Sequence, residues 1–292
     1  MNYLYYPGCS LEGTAKEYDL STRTFMAAVG AVLTELPDWT CCGASAAEAT
    51  SAVLSLALPA RNLALAQRAA PGTDVLIPCS ACYLNLKKAA EKIREPAVLS
   101  MVNTVLGEED LVMGTGVRPR HLLDVLSVDI GAQTLDARVA HRLDGLVIAP
   151  YYGCQCLRPY HVFDDPERPR SMAPLIEAVG ATVFPWEMGA RCCGASHLTT
   201  KPAVGLELVA AILSAARGAD AIVTVCPMCQ MNLEAYQKKA SGLNGNDLEI
   251  SILYLPQLLG LAVGLPARDL GIDLNLTITD ALCDRLEVLV PV

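Results

Sequence analysis

Cys41-Cys42-Gly43-Ala44-Ser45 recurs letter for letter as Cys192-Cys193-Gly194-Ala195-Ser196, and the rest of the chain lines up around these two copies. Upstream of each lies a Tyr-rich turn ending in Gly-Cys: Tyr5-Tyr6-Pro7-Gly8-Cys9, then Tyr151-Tyr152-Gly153-Cys154. Downstream of each lies a Cys-x-x-Cys followed by Asn-Leu: Cys79 and Cys82 with Asn85-Leu86, then Cys226 and Cys229 with Asn232-Leu233. The matching cysteines are offset by 145, 151, 151, 147 and 147 residues. Five cysteines in one order at nearly constant offset mark an internal duplication.

Each half alternates short apolar runs with helical stretches, which predicts an α/β fold: two similar domains, each a small, mostly parallel sheet flanked by helices. In the first half the expected order is a strand at Tyr3–Tyr6, a helix over the Ala15–Leu36 region, the Cys-Cys-Gly turn, a helix at Val53–Ala69, a strand at Asp74–Ile77 and a helix opening near Ala81. The second half repeats it with strands at Leu146–Ala149 and Ala221–Val225 and helices at Met172–Val179 and Ala203–Arg217. The expected boundaries are a first domain at 1–95, a helical connection at 96–144, and a second domain with a C-terminal extension at 145–292. Cysteines then fall at strand ends and helix starts.

Of the 292 residues 52% are hydrophobic but only 5% aromatic, and the formal charge is −9. The acidic balance argues against a nucleic-acid or anionic-membrane partner, since both need a basic face. No segment reads as transmembrane: Ile252–Pro266 is interrupted by Pro256 and Gln257 and falls short of the roughly 20 apolar residues required. No signal peptide is evident, so a cytoplasmic location is expected.

Twelve cysteines in a chain this long are not needed as staples, and a reducing compartment would keep them as thiols. Disulfides also leave one of each five unpaired. A structural zinc takes four ligands, and a thioredoxin-like Cys-x-x-Cys uses two. An iron–sulfur cluster fits better, because soft thiolates suit iron and a multi-iron cluster offers adjacent cysteines different atoms to bind. Gly43 and Gly194 suit a backbone that approaches inorganic sulfur closely. The Cys-x-x-Cys elements stand at helix starts, where free N–H groups favour thiolate.

The spacing of Gly8-Cys9, Cys41-Cys42-Gly43 and Cys79-x-x-Cys82, repeated in the second half, resembles the cysteine-rich CCG domain. Two such domains in one chain resemble the B subunit of heterodisulfide reductase. Further matching stretches are Tyr151-Tyr152-Gly153-Cys154-Gln155-Cys156-Leu157-Arg158-Pro159 and Asp164-Asp165-Pro166-Glu167-x-Pro169. The resemblance implies two noncubane [4Fe–4S] clusters facing one another across the substrate site. Cys9, Cys41, Cys42, Cys79 and Cys82 would ligate one, and Cys154, Cys192, Cys193, Cys226 and Cys229 the other. It implies a catalytic subunit that reduces or forms disulfide or sulfur-carrier bonds, acting on a disulfide, persulfide or carrier-bound thiol. A ferredoxin-like iron–sulfur C subunit and a flavin-containing A subunit would be its partners.

No flavin or NAD fingerprint is present in the chain itself; Gly114-Thr115-Gly116 lacks the third glycine and the strand context. His197 follows the second pentapeptide where the first half has Ala46, and is a candidate proton donor to a released thiolate. Arg158, Arg191 and Lys201 cluster in sequence near the second set as candidate anion-binding groups. Cys156 and Cys283 fall outside the repeat and are expected to be buried bystanders. Alternative readings are an electron-transfer subunit of another CCG-containing complex, linked to succinate, lactate, glycerol phosphate or quinone, and a non-catalytic metal-stabilised assembly module.

Overall fold

The computed structural model describes residues 1–44, 46–245 and 247–290; Ser45 of the first pentapeptide lies outside them. The strands are β1 (Asn2–Tyr5), β2 (Val32–Glu35), β3 (Val75–Ile77), β4 (Pro119–His121), β5 (Val147–Tyr151), β6 (Thr182–Val183), β7 (Ala221–Thr224) and β8 (Ser251–Tyr254). They form two four-stranded sheets of identical order, β2-β1-β3-β4 and β6-β5-β7-β8. All pairings are parallel, with Tyr5 opposite both Glu35 and Leu76, and Ile148 opposite both Val183 and Ala221. The expected α/β duplication is therefore present, and it includes every strand. The central strands Val75-Leu76-Ile77 and Ala221-Ile222-Val223-Thr224 are buried throughout, as parallel strands covered on both faces must be.

Four strands are absent from the sequence reading. The first long helix is Lys16–Ala28, not a helix reaching the Leu36 region. Gly30, at φ +82°, turns the chain, and Val32–Glu35 becomes an edge strand. The short β6 plays the same part in the second half. The 96–144 stretch is more than a helical connection, because β4 within it completes the first sheet; β8, in the C-terminal extension, completes the second.

In the order 2-1-3-4 the chain leaves β1 to one side and returns to β3 on the other. The crevice between the carboxyl ends of these two strands is the topological switch point, where open α/β sheets place ligands. Cys9 follows β1 and Cys79 follows β3; Cys154 follows β5 and Cys226 follows β7. The fold thus carries both sets of cysteines to its two switch points.

The halves meet across a seam with approximate twofold symmetry. Tyr18 of the first half stacks on Tyr254 of the second, with ring centroids 3.9 Å apart and planes within 2°. Phe163 of the second half lies parallel to His121 of the first, at 6.2 Å. Tyr18 and Phe163 each stand nine residues after the first cysteine of their half, and His121 and Tyr254 each end the fourth strand. Each half therefore exchanges one ring with the other. Likewise, the helix after β8, Leu255–Ala262, packs on Lys16–Ala28, while Gly131–Asp136, after β4, packs on Ala173–Ala178. One apolar core runs from Tyr3 and Leu76 through the seam to Leu253 and Leu258.

Two carboxylates are buried at this seam. Glu17 hydrogen-bonds Tyr254, and Glu234 accepts from the Thr277 amide at 3.3 Å. Burial pushes the Glu234 carboxyl up to about 7 from an ordinary 4.5. Its protonated form is the one the fold prefers, so its contribution is full below pH 4.5 and is lost as pH rises through 7. Glu234→Gln should flatten that part of the stability–pH curve, followed by thermal unfolding between about pH 5 and 8; an unchanged slope would refute the assignment. Tyr18→Ala, which removes one seam stack and a 3.1 Å hydrogen bond to the Pro78 carbonyl, should cost about 3–5 kcal/mol. A loss below about 1 kcal/mol in denaturant unfolding would show that the seam does not depend on this ring.

Candidate metal centre

In the first half, Cys9 lies in the short helix Gly8–Glu12 that follows β1, and Cys41-Cys42 lie in the loop after β2. Cys79 caps the helix Ser80–Lys92 and Cys82 sits in its first turn. The Sγ atoms of Cys9 and Cys41 are 3.9 Å apart, and those of Cys42 and Cys82 are 3.3 Å apart. Thiol contacts between Cys41 and Cys42 and between Cys79 and Cys82 close the series. In the second half, Cys154 contacts Cys192, and Cys229 contacts both Cys193 and Cys226, with Cys226 capping the helix Pro227–Ala235. Each expected set of five is brought together, and neither recruits a cysteine from the other.

The supports are duplicated as closely as the thiols. Tyr6 Oη donates to the Thr40 carbonyl at 2.7 Å, and Tyr151 Oη donates to the Arg191 carbonyl at 2.7 Å, each fixing the residue before a Cys-Cys pair. Asn85 Nδ2 donates to the Cys42 carbonyl at 3.1 Å and faces its sulfur at 3.8 Å; Asn232 Nδ2 reaches the Cys193 carbonyl and sulfur, both at 3.4 Å. The Gly43 and Gly194 amides each approach the sulfur two residues earlier at 3.4 Å. Gly8 and Gly153 share φ +71°, and a Cβ there would lie 2.9 Å from Cys82 Sγ or 3.0 Å from Cys229 Sγ. The repeated Asn-Leu and Tyr-rich turns signalled these supports in the sequence, though they read there only as markers of the repeat.

Each set has a buried base and a more accessible edge. Cys42, Cys79, Cys82, Cys193, Cys226 and Cys229 are buried; Cys9 and Cys41 are exposed, and Cys154 and Cys192 are half-buried. The sulfurs compete for protons. Cys42 is held low chiefly by the Cys41 thiol and then by Cys82. Cys192 is drawn down chiefly by Cys154, then by the Gly194 amide and the charges of His197 and Arg158. Cys226 is drawn down chiefly by Cys229, while their neighbouring thiols and burial push Cys82 and Cys229 up. Gathered sulfur of this kind calls for a cation that removes the protons outright. Among the described residues no three Cys, His, Asp or Glu side chains frame a single-ion site. The sulfurs instead run as a chain of contacts that presents donors at several points. Five soft donors, amides directed at sulfur and glycines that leave room beside it fit an iron–sulfur cluster in each half.

The two surroundings differ. The first set opens onto a groove of about 590 Å³ lined by Glu12, Glu35, Asp38, Trp39 and the two exposed cysteines. The second set has Arg158, whose guanidinium donates to the Ala190 carbonyl at 2.6 Å and pairs with Glu167 at 3.1 Å. His197 is exposed and opens the short helix His197–Thr200, its amide donating to the Gly194 carbonyl at 2.7 Å. Arg191 and Lys201 are exposed.

Residues 3–87 and 148–234 each match the cysteine-rich domain CCG. The chain belongs to the CCG family. Among the relatives of this CCG protein, the 8-methylmenaquinol:fumarate reductase membrane anchor subunit of Wolinella succinogenes is 32% identical, over 94% of this chain and 96% of the relative. The B subunit of the ferredoxin/F420H2-dependent CoB-CoM heterodisulfide reductase of Methanosarcina acetivorans is 29% identical, over 92% and 91%. A protein of Archaeoglobus profundus, named as like the heterodisulfide reductase B subunit, is 28% identical, over 93% and 94%. The expected resemblance to the B subunit of heterodisulfide reductase is thus borne out. The crystal structure of a hypothetical protein from Helicobacter pylori shares the fold, with a TM-score of 0.75 and 19% identity; it covers 95% of this CCG chain, which spans 52% of that one. Among the described residues no helix is long and apolar enough to cross a membrane.

Cys156 is buried, as expected, and its thiol donates to the Tyr152 carbonyl at 3.2 Å. Cys283, expected to be buried, is exposed: on the helix Asp280–Leu289 it is the preceding Leu282 that faces the core. Anaerobic alkylation of the native protein followed by peptide mass spectrometry should therefore label Cys283 and leave Cys156 unmodified. Equal labelling of the two would contradict this placement.

Proposed function

We propose that this CCG protein is the catalytic subunit of a heterodisulfide reductase-like complex, reducing or forming disulfide or sulfur-carrier bonds with the help of two iron–sulfur clusters. The observation that carries this reading is the pair of matched thiol quintets, each at a switch point and each with an accessible edge. Cys9, Cys41, Cys42, Cys79 and Cys82 would hold one [4Fe–4S] cluster of the noncubane kind, and Cys154, Cys192, Cys193, Cys226 and Cys229 the other. When bound, such clusters supply one-electron redox steps and iron with an affinity for sulfur.

Splitting a disulfide takes two electrons and two protons and yields two thiols, so two one-electron centres match the need of one S–S bond. The chain's own residues then have distinct tasks. The asparagines and tyrosines hold the Cys-Cys loops, the glycines leave room beside sulfur, and the buried cysteines exclude water from each base. His197, on the accessible side of the second set, would deliver a proton from its imidazole to the released sulfur. We assign electron delivery to a ferredoxin-like C subunit and a flavin-containing A subunit, and place the complex in the cytoplasm.

The relative from Wolinella succinogenes, by its name, favours a second reading, in which the same two centres serve a quinol-linked reductase. The two are separated by recording EPR spectra of the anaerobically isolated protein after adding a small thiol or disulfide, or a menaquinol. The first reading predicts that sulfur compounds change the cluster signal and the quinol leaves it unchanged; the reverse outcome overturns it. His197→Gln should keep the iron content and lower disulfide turnover by about 10²-fold or more. Unaltered turnover would remove His197 from the proton path.

A further inference from the structure

The seam is symmetric in its stacking and asymmetric in its hydrogen bonds. Ser80, immediately after Cys79, is 1% exposed, and the corresponding residue of the second half, immediately after Cys226, is Pro227. Ser80 Oγ stands 3.2 Å from His121 Nε2 and 3.3 Å from the carbonyl of Val225, the residue before Cys226. Although it belongs to the first half, Ser80 lines a cleft of about 20 Å³ with Cys154, Cys193, Cys226 and Cys229. Its hydroxyl thus lies beside Cys226 in that cleft, next to the carbonyl that precedes this cysteine.

The direction of these bonds follows from the histidine. His121 Nδ1 accepts from the Leu123 amide at 3.2 Å, so its proton sits on Nε2, which faces Ser80 Oγ and the Pro78 and Val225 carbonyls. Fully buried, the imidazole stays neutral. An Nε2 that carries the proton cannot accept from Ser80, so the Ser80 hydroxyl keeps its own proton to give away. A neutral carbonyl and a cysteine sulfur compete for it; once Cys226 is a metal-bound thiolate, the charged acceptor wins. Pro227 has no such proton to offer Cys79.

The charged surroundings point the same way. Where the second half has Arg158 and His197, whose charges act on Cys192, the first has Gly13 and Ala46; Arg158 is also paired with Glu167. The first set's groove instead presents Glu12, Glu35 and Asp38. Glu35 and Asp38 are paired with Arg23 and Arg61, while Glu12 has no ion-pair partner among the described residues. A proton donated to a ligand sulfur and nearby cations both stabilise the reduced, more negative state of a cluster; carboxylates oppose it.

We propose that the two centres are inequivalent, the second being the more easily reduced, and that Ser80, held by His121 and the Val225 carbonyl beside Cys226, is a positioning residue that sets the difference by turning its proton to the Cys226 sulfur once that sulfur is a metal-bound thiolate. A single electron shared between them then rests on the second centre: one electron leaves the first, one arrives at the second, and no proton or covalent bond is exchanged. The inference rests on the reading of both quintets as iron–sulfur sites.

The test is an EPR-monitored potentiometric titration of the anaerobically isolated protein, with Cys192→Ser used to identify the signal of the second centre. Wild type should show two one-electron couples, the higher belonging to the second centre. Ser80→Ala should lower that couple alone, moving the electron's distribution toward the first centre on the order of tenfold, or about 59 mV for one electron. Ser80→Thr, which keeps the hydroxyl, should restore it. Equal iron content across the three proteins excludes a folding defect. Two intact couples that ignore Ser80→Ala, or a higher potential at the first centre, would overturn the inference and leave the site reading standing. A chain with no titrating iron would overturn both.

Discussion

Five thiols cannot be packed against one another, most of them buried, without something that settles their charge. Left as thiols they lose hydration and make weak hydrogen bonds; ionised, they repel. Much of this structure is arranged around that constraint, twice. Each half takes its cysteines from three loops, at the ends of β1, β2 and β3 or of β5, β6 and β7. Each then clamps the Cys-Cys loop with one tyrosine and one asparagine. The demand for soft cations follows from the donor set itself.

The duplication explains how so specific a site is assembled from ordinary elements. A four-stranded sheet of order 2-1-3-4 has one switch point, and two such sheets have two. Neither half closes its core alone: Tyr18 and Phe163 leave their own halves to stack on Tyr254 and His121 of the other. That exchange places Ser80 of the first half beside Cys226 of the second. The contact holding the halves together is therefore also the one through which, in the proposal above, the first half tunes the second centre.

The ten cysteines, the repeat and the α/β class were legible in the sequence because chemistry-bearing residues at fixed spacing survive any uncertainty about secondary structure. The edge strands β2 and β6 were not, since four and two residues carry too little pattern to separate from a neighbouring helix. β4 was hidden because Pro119-Arg120-His121 has no apolar run; Arg120 is buried there through its ion pairs with Asp124 and Asp129. His121 offered no chemistry in one dimension. Its role depends on Ser80, 41 residues earlier, which looked like filler inside a Cys-x-x-Cys. The exposure of Cys283 was missed for a related reason: the C-terminal stretch carries no clear pattern in the sequence, and only the structure sets Cys283 on the helix Asp280–Leu289 with Leu282 turned to the core.

The most direct test of the account is iron and acid-labile sulfide per chain after anaerobic isolation, compared among the native protein, Cys82→Ser and Cys229→Ser. If each quintet holds its own four-iron cluster, as proposed, the native chain carries about eight irons and each variant about half that. Stoichiometric zinc without iron, or a single substitution that empties both halves while the fold persists, would contradict it.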